Sequence, residues 1–132
     1  MNRSIHLKLF LMMVLELFIW GAWLPLIYGY LPSLGFSAGE QAWILNAFPI
    51  AAIVGMFFSN QYADRHFAAE KFLGFSHLIG GLAILALAFT KSFWPFFGCM
   101  LVHCLLYVPT ISIANSIAFA NFFPSIFPFS PE

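Results

Sequence analysis

The chain has 132 residues, of which 62% are hydrophobic, 20% aromatic and only 8% charged. An average soluble domain is about 25% charged, and a chain this short buries too small a fraction of its surface to hide so many apolar side chains in one core. Much of its apolar surface is therefore expected to face a lipid bilayer, which indicates an integral membrane protein. The net charge is zero and the sequence has no basic run, so nucleic acid is excluded as an expected partner.

Four segments are apolar enough, and close enough to the required length of about 20 residues, to cross a bilayer. In chain order they cover residues 7–30, 41–59, 72–89 and 93–119. The first follows a basic start, as a signal peptide does, but its apolar run continues past Trp23 without a small-residue cleavage site, so we predict an uncleaved span. Short connections predict antiparallel neighbours. The expected fold class is therefore all-α, a polytopic membrane protein with four transmembrane helices.

The basic residues fall mainly on one side of this four-span arrangement. Arg3, Lys8, Arg65 and Lys71 lie on one side and Lys91 on the other. Because cytoplasmic loops are enriched in Lys and Arg, we predict that both termini and the loop between the second and third spans are cytoplasmic. The expected location is the cell membrane (inner or plasma), where the chain would be a multi-pass protein.

The second span carries small residues at every fourth position, namely Ala47, Ala51, Gly55 and Ser59. Small residues at this spacing let two helix backbones approach closely. The pattern predicts a helix-packing face and says nothing about chemistry.

Glu16 places a carboxyl group within the first apolar span. On insertion scales an Asp, Lys or Arg at the helix centre costs about 2.5–3.5 kcal/mol, and such a group is usually protonated, partnered or exposed to a water-filled cavity. Trp20 and Trp23 follow at i+4 and i+7, so the three residues share one face. We interpret this face as a cavity wall that binds a proton and stacks a flat solute. The alternatives are an acid that reaches the interface and one that pairs with a neighbouring helix.

The third and fourth spans supply further candidates for a solute cavity. His77 lies inside the third span, whereas His103, Tyr107 and Thr110 form a stripe on the fourth and Asn115 follows them. Together they offer the donors and acceptors that a polar solute needs, although each one singly is more often an interhelical hydrogen bond. No metal-site spacing occurs, and we expect neither a metal, an organic cofactor nor an enzyme activity.

Short motifs in order along the chain point to a family. They are Trp-Gly-Ala-Trp-Leu (20–24), Ile-Ala-Ala (50–52), Ala-Asp-Arg (63–65), His-Leu-Ile-Gly (77–80), Tyr-Val-Pro-Thr (107–110) and Asn-Ser-Ile (115–117). Over residues 7–121 this set resembles the major facilitator superfamily and, within it, the nucleoside:proton symporter family.

The resemblance implies proton-coupled uptake of a nucleoside or a similar small polar solute. Protons would be the coupling ion, with Glu16 as the candidate that carries them, and Asp64 and Arg65 would belong to a cytoplasmic gate. The superfamily fold has two six-helix halves with the solute bound between them, so residues 1–121 would supply the first four of twelve helices. Activity would then need the remaining helices or a second chain.

Residues 122–132, FFPSIFPFSPE, stand where the family's fifth helix would be expected to begin. Proline at this density does not continue a helix, and the Arg-x-Trp-Gly-Thr motif of that helix is not found. We therefore expect a truncated or frame-disrupted product, or a fragment of a longer protein. The alternatives are a complete four-span exporter that works as a homodimer, and a non-transporting membrane assembly subunit that uses the small-residue face of the second span.

Overall fold

The structure, a computed structural model, describes the backbone of residues 3–66 and 69–122, and within these ranges the side chains of residues 4–57, 69 and 71–122. The described residues form five helices and no strand: α1 (Arg3–Ser33), α2 (Ala38–Leu45), α3 (Ala47–His66), α4 (Ala69–Leu87) and α5 (Phe93–Phe122). The predicted all-α class is confirmed. Apart from Phe122, the proline-rich tail lies outside the described residues.

The helices have the length and composition of membrane spans. Among the residues that the structure describes, three stretches are long and apolar enough to cross a bilayer, namely Ser4–Ser33, Ala38–Phe57 and Phe93–Phe122, and Lys71–Leu87 is a shorter apolar helix. Large apolar side chains such as Leu17, Phe57 and Phe89 remain exposed on the outer faces. Because so much exposed apolar surface suits lipid and not water, the chain is an integral membrane protein of about four spanning helices.

The second predicted span is one apolar stretch built from two helices. Pro49 has no N–H to donate to the carbonyl of Leu45, so the regular helical pattern is interrupted there. Asn46 occupies the break between α2 and α3, where its backbone N–H and its side-chain amide donate to the carbonyl of Ala42 at 3.0 and 2.7 Å. The span is therefore divided into two helices at Asn46, and its hydropathy did not predict this break.

The turn between α1 and α2 has well-defined chemistry. Gly35 adopts a φ of 81°, a left-handed conformation that glycine takes without a steric penalty and that commonly ends a helix. Ser37 then caps α2: its hydroxyl accepts from the Glu40 N–H, and the Glu40 carboxylate accepts from the Ser37 N–H at 2.8 Å. This capping box fixes where the second span begins.

Helix α5 is the centre of the bundle. Helices α3 and α4 pack most closely against it, and α1 and α2 also contact it. The buried apolar core gathers residues near the α1–α2 and α4–α5 connections, including Leu31, Phe36, Leu87, Phe96 and Met100. The core therefore lies towards one end of the bundle, and the middle of the bundle is left to the polar residues described below.

The small-residue face of α3 turns towards α5. Ala47 and Ala51 are fully buried in the core, and a β-carbon added to Gly55 would lie 3.8 Å from Val108 Cγ1 on α5. The side chain of Ser59 lies outside the described residues. Small side chains at the first three positions thus allow the close approach of the two helices.

Replacing Gly55 by Leu should separate α3 from α5 and lower the free energy of unfolding by about 1–3 kcal/mol, because overpacking forces side chains and backbone to shift. Gly55→Ala is the matched control, since its β-carbon would make an ordinary van der Waals contact with Val108. Thermal unfolding of the purified protein in detergent would compare the two variants. Equal stability would show that the α3–α5 contact does not depend on a small residue at position 55.

Candidate functional site

Glu16 lies in the middle of the bundle with only 4% of its surface exposed. Its carboxyl group has two partners on other helices: Oε2 is 3.0 Å from His77 Nε2 on α4, and Oε1 accepts a hydrogen bond from the Thr110 hydroxyl on α5. The acid in the first span is therefore paired across two helix interfaces, as a buried carboxyl group must be if it is not to destabilise the fold.

The Glu16–His77 contact requires one proton. His77 Nδ1 is 2.7 Å from the carbonyl oxygen of Leu73, and because a carbonyl only accepts, Nδ1 carries hydrogen. In a neutral imidazole of this tautomer Nε2 is an acceptor, so its 3.0 Å contact with Glu16 Oε2 is a hydrogen bond only if a proton lies between the two atoms. Either Glu16 is the neutral acid that donates to His77, or His77 is an imidazolium that donates to the carboxylate. In this conformation the pair holds one proton.

Two further side chains on α5 fix the position of the acid. The Tyr107 hydroxyl donates to the backbone carbonyl of Glu16 at 2.6 Å, and the Thr110 hydroxyl lies within hydrogen-bonding reach of both Glu16 Oε1 and the carbonyl of Tyr107. Oε1 accepts from Thr110 whether the proton is on Oε2 or on His77, so this bond survives proton transfer within the pair. The site is therefore held in place independently of where its proton lies.

A cavity of about 370 Å³ opens beside this pair, between α1, α4 and α5. Ala22, Gly80 and Gly81 line it, and their small side chains leave the space that larger residues would fill. Its size falls within the range of small-molecule pockets, about 300–1,000 Å³. The lining also includes His77, Tyr107 and Thr110, so one member of the Glu16–His77 pair lies in the cavity wall.

The same cavity contains buried polar atoms without a partner among the described residues. They are Trp23 Nε1, Ser76 Oγ and His103 Nε2. The other ring nitrogen of His103 is bonded to the Gly80 carbonyl at 3.0 Å. The Trp23 and His103 rings meet edge to face, with centroids 5.7 Å apart and an interplanar angle of 87°.

The structure brings together five of the predicted cavity candidates, Trp23, His77, His103, Tyr107 and Thr110, around the proton-coupling candidate. Trp20 does not line this cavity: its ring stacks on Phe48 of α3, with centroids 5.2 Å apart. Asn115 lies farther along α5 and is not part of the lining either.

The gate candidates Asp64 and Arg65 belong to the last turns of α3. The sequence predicted them in a loop after a span ending at residue 59, whereas the helix continues to His66. The structure describes their backbone, and their side chains lie outside the described residues.

Ser76 is a polar residue of the cavity lining that the sequence analysis did not predict. It is 1% exposed and its hydroxyl has no partner among the described residues. Its spacing held a signal, because Ser76 lies four residues before Gly80 and therefore on the same helical face.

An all-helical membrane bundle that surrounds a cavity lined by apolar side chains and a few polar ones is an architecture found in secondary transporters. Comparison with known families is more specific: residues 2–131 match the family model of the nucleoside H+ symporters. The chain belongs to this family, as its motifs predicted.

Three relatives from Escherichia coli illustrate the match. The chain is 42% identical over 114 residues to the putative nucleoside transporter YegT, covering 86% of this chain and 27% of that protein. It is 30% identical over 122 residues to a xanthosine permease, covering 89% and 28%, and 24% identical over 120 residues to the nucleoside permease NupG, covering 90% and 28%. The chain thus spans about a quarter of the length of these relatives and matches their N-terminal part. No solved structure matches the chain.

Proposed function

We propose that this chain carries the first helices of a proton-coupled transporter of nucleosides or similar small polar solutes. The observation that carries the proposal is the 3.0 Å contact between Glu16 Oε2 and His77 Nε2, buried beside a solute-sized cavity that His77 lines. The names of the relatives, which include nucleoside and xanthosine permeases, support a nucleoside as the solute. The coupling ion is the proton, and the solute crosses the bilayer without chemical change.

Coupling follows from what the pair must do when its proton leaves. Glu16 Oε2 and His77 Nε2 would then be two acceptors facing each other at 3.0 Å, an arrangement that repels. The side chains must separate, or a donor on the solute must take the place of the proton. Because His77 lines the cavity, its movement changes the solute site, and solute binding in turn changes the affinity for the proton. Such coupling is reciprocal by thermodynamic necessity.

Transport needs more than these helices in our proposal. Alternating access in such folds is largely the rocking of one repeat against another around a site at their interface. We infer that the remaining helices of a full-length transporter, or a second chain, supply the second repeat that this movement needs, and that Asp64 and Arg65 at the end of α3 take part in gating.

A chimera provides the test. The stretch of the putative transporter YegT that aligns with this chain would be replaced by the residues of this chain and expressed in cells that lack nucleoside uptake. We expect the chimera to accumulate radiolabelled nucleoside, a protonophore to abolish the accumulation, and the 132-residue chain alone to accumulate none.

Three results would count against the proposal. A chimera that reaches the membrane and moves no nucleoside would contradict the proposed transport function. Efflux of nucleoside from loaded cells that express the chain alone would favour the homodimeric exporter. Copurification of a stable partner without any transport would favour the assembly subunit.

We also propose that the N-terminus is cytoplasmic, since basic residues gather on that side. In a variant without Cys99 and Cys104, single cysteines at Ser4 and Arg65 should react with an impermeant thiol reagent only after the membrane is opened. A cysteine at Ser37, in the α1–α2 turn, should react in intact cells. Labelling of positions 37 and 65 from the same side would contradict this orientation.

A further inference from the structure

We propose that the cavity contains a subsite for the hydrogen-bonding edge of a nucleobase, formed by Trp23 Nε1, His103 Nε2 and Ser76 Oγ. The ligand class rests on the proposed function, whereas the subsite rests on the atoms themselves. All three line the same cavity and have no hydrogen-bond partner among the described residues. Ser76 and His103 are only 1% and 3% exposed.

The donor and acceptor roles of these atoms are determined by their surroundings. His103 Nδ1 lies 3.0 Å from the carbonyl of Gly80, which only accepts, so Nδ1 carries hydrogen and Nε2 of the neutral ring is an acceptor. Trp23 Nε1 is always a donor, and the Ser76 hydroxyl is either. The cavity therefore offers one fixed acceptor, one fixed donor and one adaptable group.

Contacts with neighbouring side chains hold the His103 and Trp23 rings in position. The His103 ring stacks on Tyr107 with centroids 5.6 Å apart and an interplanar angle of 11°, and meets Trp23 edge to face. Helix α4 packs directly against the His103 ring, since a β-carbon added to Gly80 would make an ordinary van der Waals contact with His103 Nδ1 at 3.5 Å. Binding would thus cost little ordering of His103 or Trp23.

A nucleobase edge complements this set. Uracil and hypoxanthine each carry an N–H next to a carbonyl, so the N–H can donate to His103 Nε2 while the carbonyl accepts from Trp23 Nε1. The flat ring suits a lining with aromatic walls such as Phe18 and Tyr107. Ribose offers hydroxyls without a flat face, so the aromatic lining favours the base over the sugar. A mostly apolar wall with a few placed polar atoms is typical of small-molecule sites.

The test is binding to the purified 132-residue chain in lipid nanodiscs, measured by equilibrium dialysis of labelled nucleoside and therefore independent of transport. The probes are uridine and N3-methyluridine, which share the sugar and differ in the N–H of the base edge. Because an unpaired buried acceptor costs about 1–3 kcal/mol, we expect N3-methyluridine to bind at least about fivefold more weakly.

Trp23→Phe keeps an aromatic ring and removes the donor, so uridine binding should weaken by about fivefold or more. Thermal stability should not fall in parallel, since Nε1 has no partner among the described residues to lose. Trp94→Phe is the matched control, because Trp94 is 76% exposed and lies outside the cavity lining. Ser76→Ala is a second, smaller change and should also weaken the binding of uridine.

Any of three results would overturn the proposed subsite. The chain could bind both probes with equal affinity, Trp23→Phe and Trp94→Phe could bind uridine equally well, or the chain could bind no uridine. The proposed function fails separately, if the chimera moves no nucleoside. Binding that discriminates between the probes in a protein that does not transport would leave the subsite standing. If the chimera transports uridine and N3-methyluridine equally well, the proposed function is supported and the subsite is contradicted.

Discussion

Replacing Glu16 by Gln in the chimera should reduce nucleoside accumulation to the level reached with a protonophore, while downhill exchange of nucleoside continues. The amide preserves the contacts of the acid: its oxygen still accepts from Thr110, and its NH₂ group donates to His77 Nε2 in place of the shared proton. An amide does not release a proton at physiological pH. The variant therefore keeps the geometry of the site and removes the exchange of a proton with the solution.

Glu40→Gln is the matched control for this experiment. It makes the same chemical change in the capping box of α2, away from the cavity, and should leave proton-driven accumulation unchanged apart from a small loss of stability. If Glu16→Gln accumulates nucleoside as well as the parent chimera, Glu16 is a polar wall residue. The coupling proton would then be carried by another part of the transporter.

Most of the fold was predictable because hydropathy governs it. Segments of about 20 apolar residues leave few alternatives to membrane helices, and Gly35 with the Ser37 capping signal indicates the first turn. The break at Asn46 was not predicted, although Pro49 carried the signal, because apolar composition extends smoothly across it. The extension of α3 to His66 was also missed, since a helix that leaves the bilayer no longer needs apolar residues.

The site was predictable only in part. The i, i+4, i+7 stripe of His103, Tyr107 and Thr110 identified one wall, since spacing within a single helix determines which residues share a face. The partner of Glu16 was left open between the interface, a cavity and a neighbouring helix. Thr110 is 94 residues away along the chain, and no periodicity within one helix determines how two helices are rotated against each other. The position of Trp20 was not predictable for the same reason: its ring stacks on Phe48 of α3 and does not line the cavity.

Replacing His77 by Leu should lower the free energy of unfolding of the chain by about 1–3 kcal/mol, because Glu16 Oε2 loses its partner and is left buried without a hydrogen bond. The same change should abolish proton-driven accumulation in the chimera, since Glu16 would lose the side chain with which it shares the proton. Glu16→Leu alone should also be destabilising, as it leaves His77 Nε2 without its partner. The double variant Glu16→Leu/His77→Leu removes both polar groups, and exchange of a buried pair for apolar residues is often neutral.

The double-mutant cycle measures this coupling directly. We expect the double variant to be more stable than the sum of the single changes predicts, by about 1–3 kcal/mol. Unfolding of the purified chain would be followed by circular dichroism in detergent, so the result does not depend on transport. Leu85→Ala combined with Glu16→Leu is the control: Leu85 is 58% exposed on the same helix as His77, and distant changes add to within about 0.5 kcal/mol. If the Glu16 and His77 changes are equally additive, the two side chains do not share a proton in the folded protein.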